Sequence, residues 1–116
     1  MKTIIYFNPR CSKCRQTLAL LRGNGIEPEI VPYLESPPSR RALSEILRKS
    51  DLQPQEIIRF KEPAARALGL RSKDERTKAD WIDILAQNPS LLERPIVVKG
   101  DKAVLGRPPE QVLTIL

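Results

Sequence analysis

The hydrophobic pattern at the start of the chain predicts a strand, a helix and a second strand. Thr3–Phe7 is β-branched and aromatic, which is typical of a buried strand. Leu18 and Leu21 then recur at helical spacing until a pair of glycines ends the pattern. Glu29–Leu34 reads as a second strand, near a sheet edge because Pro32 cannot donate a ladder hydrogen bond. A unit of this size predicts parallel pairing with a right-handed crossover.

Helical patterns fill the middle of the chain. Ser39 is a candidate N-cap for a helix whose apolar stripe is Leu43, Ile46 and Leu47. From about 53 to 92 we expect only helical segments, forming a lobe over one side of the fold, with Trp81 in its core. The segments are Gln55–Phe60, Pro63–Leu68 and Asp74–Gln87.

Strand character returns near the end of the chain. Pro95–Lys99 and Ala103–Leu105 flank a tight Gly-Asp turn, which predicts a β-hairpin. A last helix should follow Pro108-Pro109, with three apolar residues facing inward: Val112, Leu113 and Leu116. The order β-α-β, helices, β-β-α predicts an α/β protein with a thioredoxin-like fold. We expect one domain over residues 1–116, with a four-stranded mixed sheet and a helical insertion at about 53–92.

Composition narrows the class of protein. The chain has 116 residues, of which 41% are hydrophobic, which argues for one folded domain. No apolar run approaches the roughly 20 residues that cross a membrane, and no signal-peptide core is evident, so we expect a cytoplasmic protein without a membrane partner. We also expect a monomer. The net charge of +6 comes with five aromatic residues and no dense basic block. A small anionic substrate accounts for this charge equally well, and we expect no nucleic-acid partner.

The candidate chemistry lies in a Cys-x-x-Cys motif between the first strand and the first helix. Cys11 falls at the start of the helix, where unpaired N–H groups and the helix dipole favour a thiolate. Arg10, Lys13 and Arg15 should add to this effect. Cys14 lies about one turn deeper, within reach of the first sulfur. The motif predicts a reactive thiol with a candidate resolving partner.

Three other interpretations of the two cysteines fit less well. They could be small core residues, but the strand–motif–helix context is that of redox sites. A zinc site is disfavoured because the chain has only two cysteines and no histidine. A structural disulfide would close only a very short loop, and a reducing cytoplasm disfavours it. We therefore predict no metal and no bound cofactor.

Several segments together resemble the glutaredoxin-coupled arsenate reductase family. The resemblance runs essentially end to end and in order, which makes it far more specific than the two cysteines alone. The segments are Tyr6–Ser12, Glu27-Pro28, Tyr33–Pro37, Glu93–Val98 and Gly106–Pro108. The family has a thioredoxin-like fold, in agreement with the element order.

The resemblance implies that Cys11 attacks arsenate or a similar oxyanion. Arg59, Arg94 and Arg107 would bind the oxyanion, together with Ser12. Independently of the resemblance, planar guanidinium groups match oxyanion oxygens in pairs, and their charge also favours a thiolate. These residues make up the predicted substrate site.

The resemblance further implies the residues beside the site and the electron donors. Asn8 and Pro95 would shape the site, with Arg94-Pro95 as a cis junction. Glutathione and glutaredoxin would supply electrons. Phe7 stands where family members often have histidine, and Cys14 where they have serine or another residue. A second thiol could instead form an intramolecular disulfide that thioredoxin reduces.

Two other functions compete with arsenate reduction. A related branch consists of redox-sensing transcriptional regulators that bind RNA polymerase through a Cys-x-x-Cys switch, which Cys11 and Cys14 fit. Arg107 argues against this branch, since a protein-binding switch needs no oxyanion ligand. A general thiol–disulfide oxidoreductase would use the same cysteines and would not need the three arginines.

Overall fold

A four-stranded mixed sheet forms the centre of the fold in the computed structural model, which describes residues 2–116. Its strand order is β2-β1-β3-β4; β1 pairs in parallel with β2 and antiparallel with β3, and β4 is antiparallel to β3. This is the predicted thioredoxin-like α/β architecture. The strands are β1 (Thr3–Phe7), β2 (Glu29–Pro32), β3 (Ile96–Lys99) and β4 (Lys102–Leu105).

The second strand ends earlier than the sequence predicts. It is an edge strand, as expected, but Tyr33 and Leu34 lie in a turn instead of continuing it. The reason is local: Pro32 has no N–H for the ladder, and its carbonyl accepts hydrogen bonds from the N–H groups of Glu35 and Ser36 at 2.9 and 2.8 Å. The chain therefore turns directly after the proline.

Residues 2–116 form four α-helices: α1 (Ser12–Gly23), α2 (Arg40–Ser50), α3 (Pro63–Ala67) and α4 (Lys78–Gln87). Leu18 and Leu21 of α1 pack with Ile5 and Val97 of the sheet on one face. The predicted stripe of α2 packs with α4 in the larger cluster on the other face, and Ser39 caps α2 by accepting the Ala42 N–H at 3.1 Å. No helix within residues 2–116 is both long and apolar enough to span a membrane.

The lobe between α2 and β3 contains shorter helices than expected. The predicted helix at Gln55–Phe60 is a 3₁₀ turn over Pro54–Ile57, because Ile58 becomes extended and forms an antiparallel bridge with Leu92. A second 3₁₀ turn, Pro89–Leu91, precedes that bridge. The bridge ties the beginning of the lobe to the segment that enters β3.

Helix α4 begins at Lys78 rather than at Asp74. The Thr77 hydroxyl accepts the Asp80 N–H at 3.1 Å, and the Asp80 carboxylate accepts the Thr77 N–H at 3.2 Å. This capping box fixes the start of the helix. Trp81, in the first turn, is buried, as predicted.

The final helix is a 3₁₀ helix over Pro109–Ile115, and this changes which residues it buries. A repeat of three residues places Pro109, Val112 and Ile115 on one face. Val112 is fully buried, whereas Leu113 and Leu116 are 46% and 38% exposed. The expectation that those two leucines face inward, which assumed an α-helical period, was wrong.

Adjacent substitutions in this helix test the assignment of its buried face. Val112→Ala should lower the free energy of unfolding by about 2 kcal/mol, because it removes two buried methyl groups and leaves a cavity. Leu113→Ala should change it by less than about 0.5 kcal/mol. Urea denaturation measures both values. Equal losses would contradict the 3₁₀ assignment.

Candidate active site

Cys11 is the N-cap of α1, directly after the loop that follows β1. Its backbone is extended, and its N–H donates to the Asn8 carbonyl at 3.0 Å. The Asn8 side chain accepts the Arg10 N–H at 3.0 Å, which closes the same turn. Asn8 therefore shapes the loop that presents Cys11. The cysteine is only 7% exposed.

The sheet brings the two predicted arginines from the end of the chain to this cysteine. Tyr6, at the end of β1, is paired with Ile96, where β3 begins, and Ile96 is paired with Leu105, where β4 ends. The residues just beyond these points therefore meet at one sheet edge. They include Arg94, immediately before Pro95, and Arg107.

Both guanidinium groups contact the Cys11 sulfur. Arg107 Nη2 lies 3.8 Å from Cys11 Sγ, and Arg107 Nε donates to the Arg94 carbonyl at 2.7 Å. Arg94 lies beside the sulfur and stabilises its thiolate form. Its buried Nε has no hydrogen-bond partner among residues 2–116. The sulfur thus lies between two cations on the loops before β3 and after β4.

These contacts make Cys11 acidic. Burial alone would raise its pKa, but the Arg94 hydrogen bond and the N–H and thiol of Cys14 outweigh it, so the pKa falls from 9.0 to about 7. Two groups of cations were expected to favour the thiolate, and Arg94, which belongs to the predicted site arginines, supplies the charge here. The other group was Arg10, Lys13 and Arg15. Those residues lie on the chain near Cys11, yet the Arg15 guanidinium points to the Pro9 carbonyl, at 2.7 Å.

Cys14 has the opposite character. It is fully buried, and burial together with the neighbouring Cys11 raises its pKa to about 12, although the Asn8 backbone opposes the shift. The Cys14 thiol therefore keeps its proton at neutral pH, next to the Cys11 sulfur. Both cysteines are free thiols.

Arg59 lies beside the site, where its guanidinium pairs with two glutamates. Its N–H donates to the Leu91 carbonyl at 2.7 Å, next to the Ile58–Leu92 bridge. Its guanidinium contacts Glu62 at 2.9 Å and Glu93 at 3.8 Å. It joins Glu93 and Arg107 in lining an open cleft of about 440 Å³.

The remaining predicted residues adjoin Cys11 without contacting its sulfur. Ser12 is exposed as the first residue of α1. Pro95 is buried behind a cis peptide bond with Arg94, and its carbonyl accepts the Gly106 N–H at 2.8 Å. A Cβ on Gly106 would come within 2.8 Å of Pro95 Cγ, so this position needs glycine. The Arg107-Pro108 bond, not predicted to be cis, is cis as well.

Two residues near the arginines were missed by sequence reasoning. Glu93 Oε1 lies 3.5 Å from Arg107 Nε and 3.8 Å from Arg59 Nε. The only sequence signal for Glu93 was its position directly before Arg94, a predicted site residue. Tyr33 is fully buried, and its hydroxyl lies beside Arg94 without a hydrogen bond of regular geometry among the described residues. Within residues 2–116, no group of three or more potential metal ligands comes together.

Comparison with known proteins gives consistent matches along the whole chain. The profile of the ArsC family matches residues 6–115. An arsenate reductase of Haemophilus influenzae is 43% identical, with all of both chains covered. The uncharacterized protein YfgD of Escherichia coli is 47% identical, covering 97% of this chain and 94% of its own. The structure of an arsenate reductase from Vibrio cholerae superposes with a TM-score of 0.93 at 42% identity, covering 100% of this chain and 98% of that one.

The contact between Arg94 and Cys11 predicts how the thiol titrates. In the wild-type protein, the rate of Cys11 alkylation by iodoacetamide should rise with pH around a midpoint of about 7. Arg94→Ala should move the midpoint upward, because the charged form loses a hydrogen bond and a cation. Arg15→Ala is the matched control and should leave it in place. An unchanged midpoint in Arg94→Ala would contradict the assignment.

Proposed function

The chain belongs to the ArsC family, and on that premise we propose that it is a thiol-dependent oxidoreductase that reduces arsenate to arsenite through an adduct on Cys11. The observation that carries the proposal is the contact of the Cys11 sulfur with Arg94 and Arg107. A disulfide oxidoreductase needs an acidic thiol, but it does not need two guanidinium groups on the sulfur. The reduction of a tetrahedral oxyanion needs both an acidic thiol to attack it and guanidinium groups to bind its oxygens. Relatives named arsenate reductase support this choice.

Arg94 and Arg107 are proposed to bind the oxyanion directly above the sulfur. Each guanidinium can donate to two oxygens, and both groups are already placed by the loops beside β3 and β4. The first N–H groups of α1, beginning at Ser12, add donors at the positive end of the helix. Arg59 would complete the site from the neighbouring cleft.

The proposed reaction has two steps. The Cys11 thiolate forms a bond to arsenic(V), and one hydroxyl group of arsenate takes up a proton and leaves as water. A second thiol then attacks the Cys11 sulfur as a thiolate. The electron pair of the sulfur–arsenic bond stays on arsenic, which leaves as arsenite, while the two sulfurs form a disulfide. Arsenic gains two electrons, and the two thiols supply them.

We propose glutathione as the second thiol, with glutaredoxin reducing the mixed disulfide, in a cytoplasmic monomer without a bound cofactor. The cleft beside Arg107 is open, so a small thiol can approach the site from solvent. Cys14 is the alternative second thiol, because it lies next to Cys11. Because it is buried and its pKa is high, little of it is present as the reactive thiolate. A Cys11–Cys14 disulfide would also require a donor such as thioredoxin.

Turnover of arsenate with two electron donors tests the proposal. Arsenate-dependent oxidation of reductant should occur with glutathione plus glutaredoxin, and Cys11→Ser should reduce it to background because the nucleophile is lost. Cys14→Ser should retain turnover with this donor. Any wild-type turnover with thioredoxin alone would proceed through a Cys11–Cys14 disulfide and should be lost in that variant.

Arginine variants separate oxyanion reduction from general disulfide exchange. Arg107→Ala should lower kcat/KM for arsenate by roughly tenfold to a hundredfold, the range of a lost charge-assisted hydrogen bond. Arg48→Ala, which removes a surface arginine paired with Glu45, is the control and should leave kcat/KM unchanged. The proposal fails if arsenate is not reduced with either donor. A readily formed Cys11–Cys14 disulfide in that protein would favour a redox switch.

A further inference from the structure

A carboxylate lies among the cations of the proposed oxyanion site. Glu93 Oε1 is 3.5 Å from Arg107 Nε and 3.8 Å from Arg59 Nε, and the side chain is 25% exposed. Its backbone N–H donates to the Ile57 carbonyl at 2.8 Å, which fixes its place at the start of the loop that carries Arg94. This negative charge repels anions, so it would not be expected in a site that only attracts them.

Arg107 connects this carboxylate to the reactive sulfur. Its Nη2 lies 3.8 Å from Cys11 Sγ, while its Nε, which donates to the Arg94 carbonyl, lies 3.5 Å from Glu93 Oε1. An oxyanion bound by Arg107 above the sulfur therefore has Glu93 as a neighbour. A fully ionised oxygen placed there would be repelled, whereas a protonated oxygen could donate a hydrogen bond to the carboxylate.

The oxyanions that share this tetrahedral shape differ in their protons. Near neutral pH, arsenate and phosphate retain at least one proton, and sulfate retains none. A carboxylate acceptor thus favours the first two and disfavours the third, because sulfate has nothing to donate to it.

We propose that Glu93 determines the specificity of the site, accepting a hydrogen bond from a protonated oxyanion and thereby excluding sulfate. This inference rests on the proposed function of the Cys11 site. It goes beyond that function because Glu93 would distinguish between oxyanions that the arginines alone would bind alike.

A purely structural role for Glu93 makes a different prediction. Glu62 holds Arg59 at 2.9 Å, which is hydrogen-bond distance. Both Glu93 distances, 3.5 and 3.8 Å, exceed the roughly 2.7–3.2 Å of an N–H···O hydrogen bond, which leaves the carboxylate able to accept one from a ligand. If Glu93 only positioned its arginines, removing its charge would change the binding of all oxyanions by one common factor.

Phosphate and sulfate serve as probes because neither is reduced by thiols under these conditions. For each anion, at constant ionic strength, we would measure the concentration that halves the rate of Cys11 alkylation by iodoacetamide. Wild-type protein should bind phosphate at least about tenfold more tightly than sulfate. Glu93→Gln should narrow this ratio by roughly tenfold or more. Glu93→Asp should retain a preference for phosphate, and Glu62→Gln, the matched control, should keep the wild-type ratio.

The inference is overturned if wild-type protein binds the two anions alike, or if Glu93→Gln shifts both by the same factor. Arsenate turnover, measured on the same preparation, separates this failure from that of the proposed function. Turnover without discrimination would overturn only the assignment of Glu93. Absence of both turnover and anion protection would overturn the oxyanion site itself, and the role of Glu93 with it.

Discussion

The two guanidinium contacts to the Cys11 sulfur are the constraint on which the site depends. Burial at the helix start would by itself make this thiol less acidic, and Arg94 together with Cys14 reverses that effect. Cys11 and Arg107 are 96 residues apart in the chain. Only the antiparallel pairing of β3 with β1 and β4 brings their loops to one edge, so the reactivity of the thiol is a product of the whole sheet.

The charges around the cysteine alternate in sign across the site. Glu62, Arg59, Glu93 and Arg107 form a row of ion pairs that ends at the sulfur. In this row Glu93 lies between Arg59 and Arg107. The helical lobe contributes Glu62 and Arg59, and the bridge between Ile58 and Leu92 attaches it to the sheet edge. The lobe therefore extends the site laterally from Cys11.

Much of the architecture could be predicted from the sequence, because strands and helix faces follow from local periodicity. The position of Cys11 at the start of α1 and the inward stripe of α2 are examples. The final helix could not be assigned in this way, since a 3₁₀ period and an α period differ by a fraction of a residue over so few turns. The source of the thiol's acidity was predicted in part. Arg94 was expected to favour the thiolate and does so, whereas Arg15, a neighbour in the chain, donates to the Pro9 carbonyl instead.

Chemical trapping at Cys11 tests the central claim most directly. The Cys14→Ser protein would be incubated with glutathione, with and without arsenate, and its peptides mapped by mass spectrometry. The account predicts that arsenate causes glutathione to become attached to Cys11, because attack on the arsenic adduct joins the two sulfurs. A Cys11 that remains a free thiol, or that is glutathionylated equally without arsenate, would contradict it.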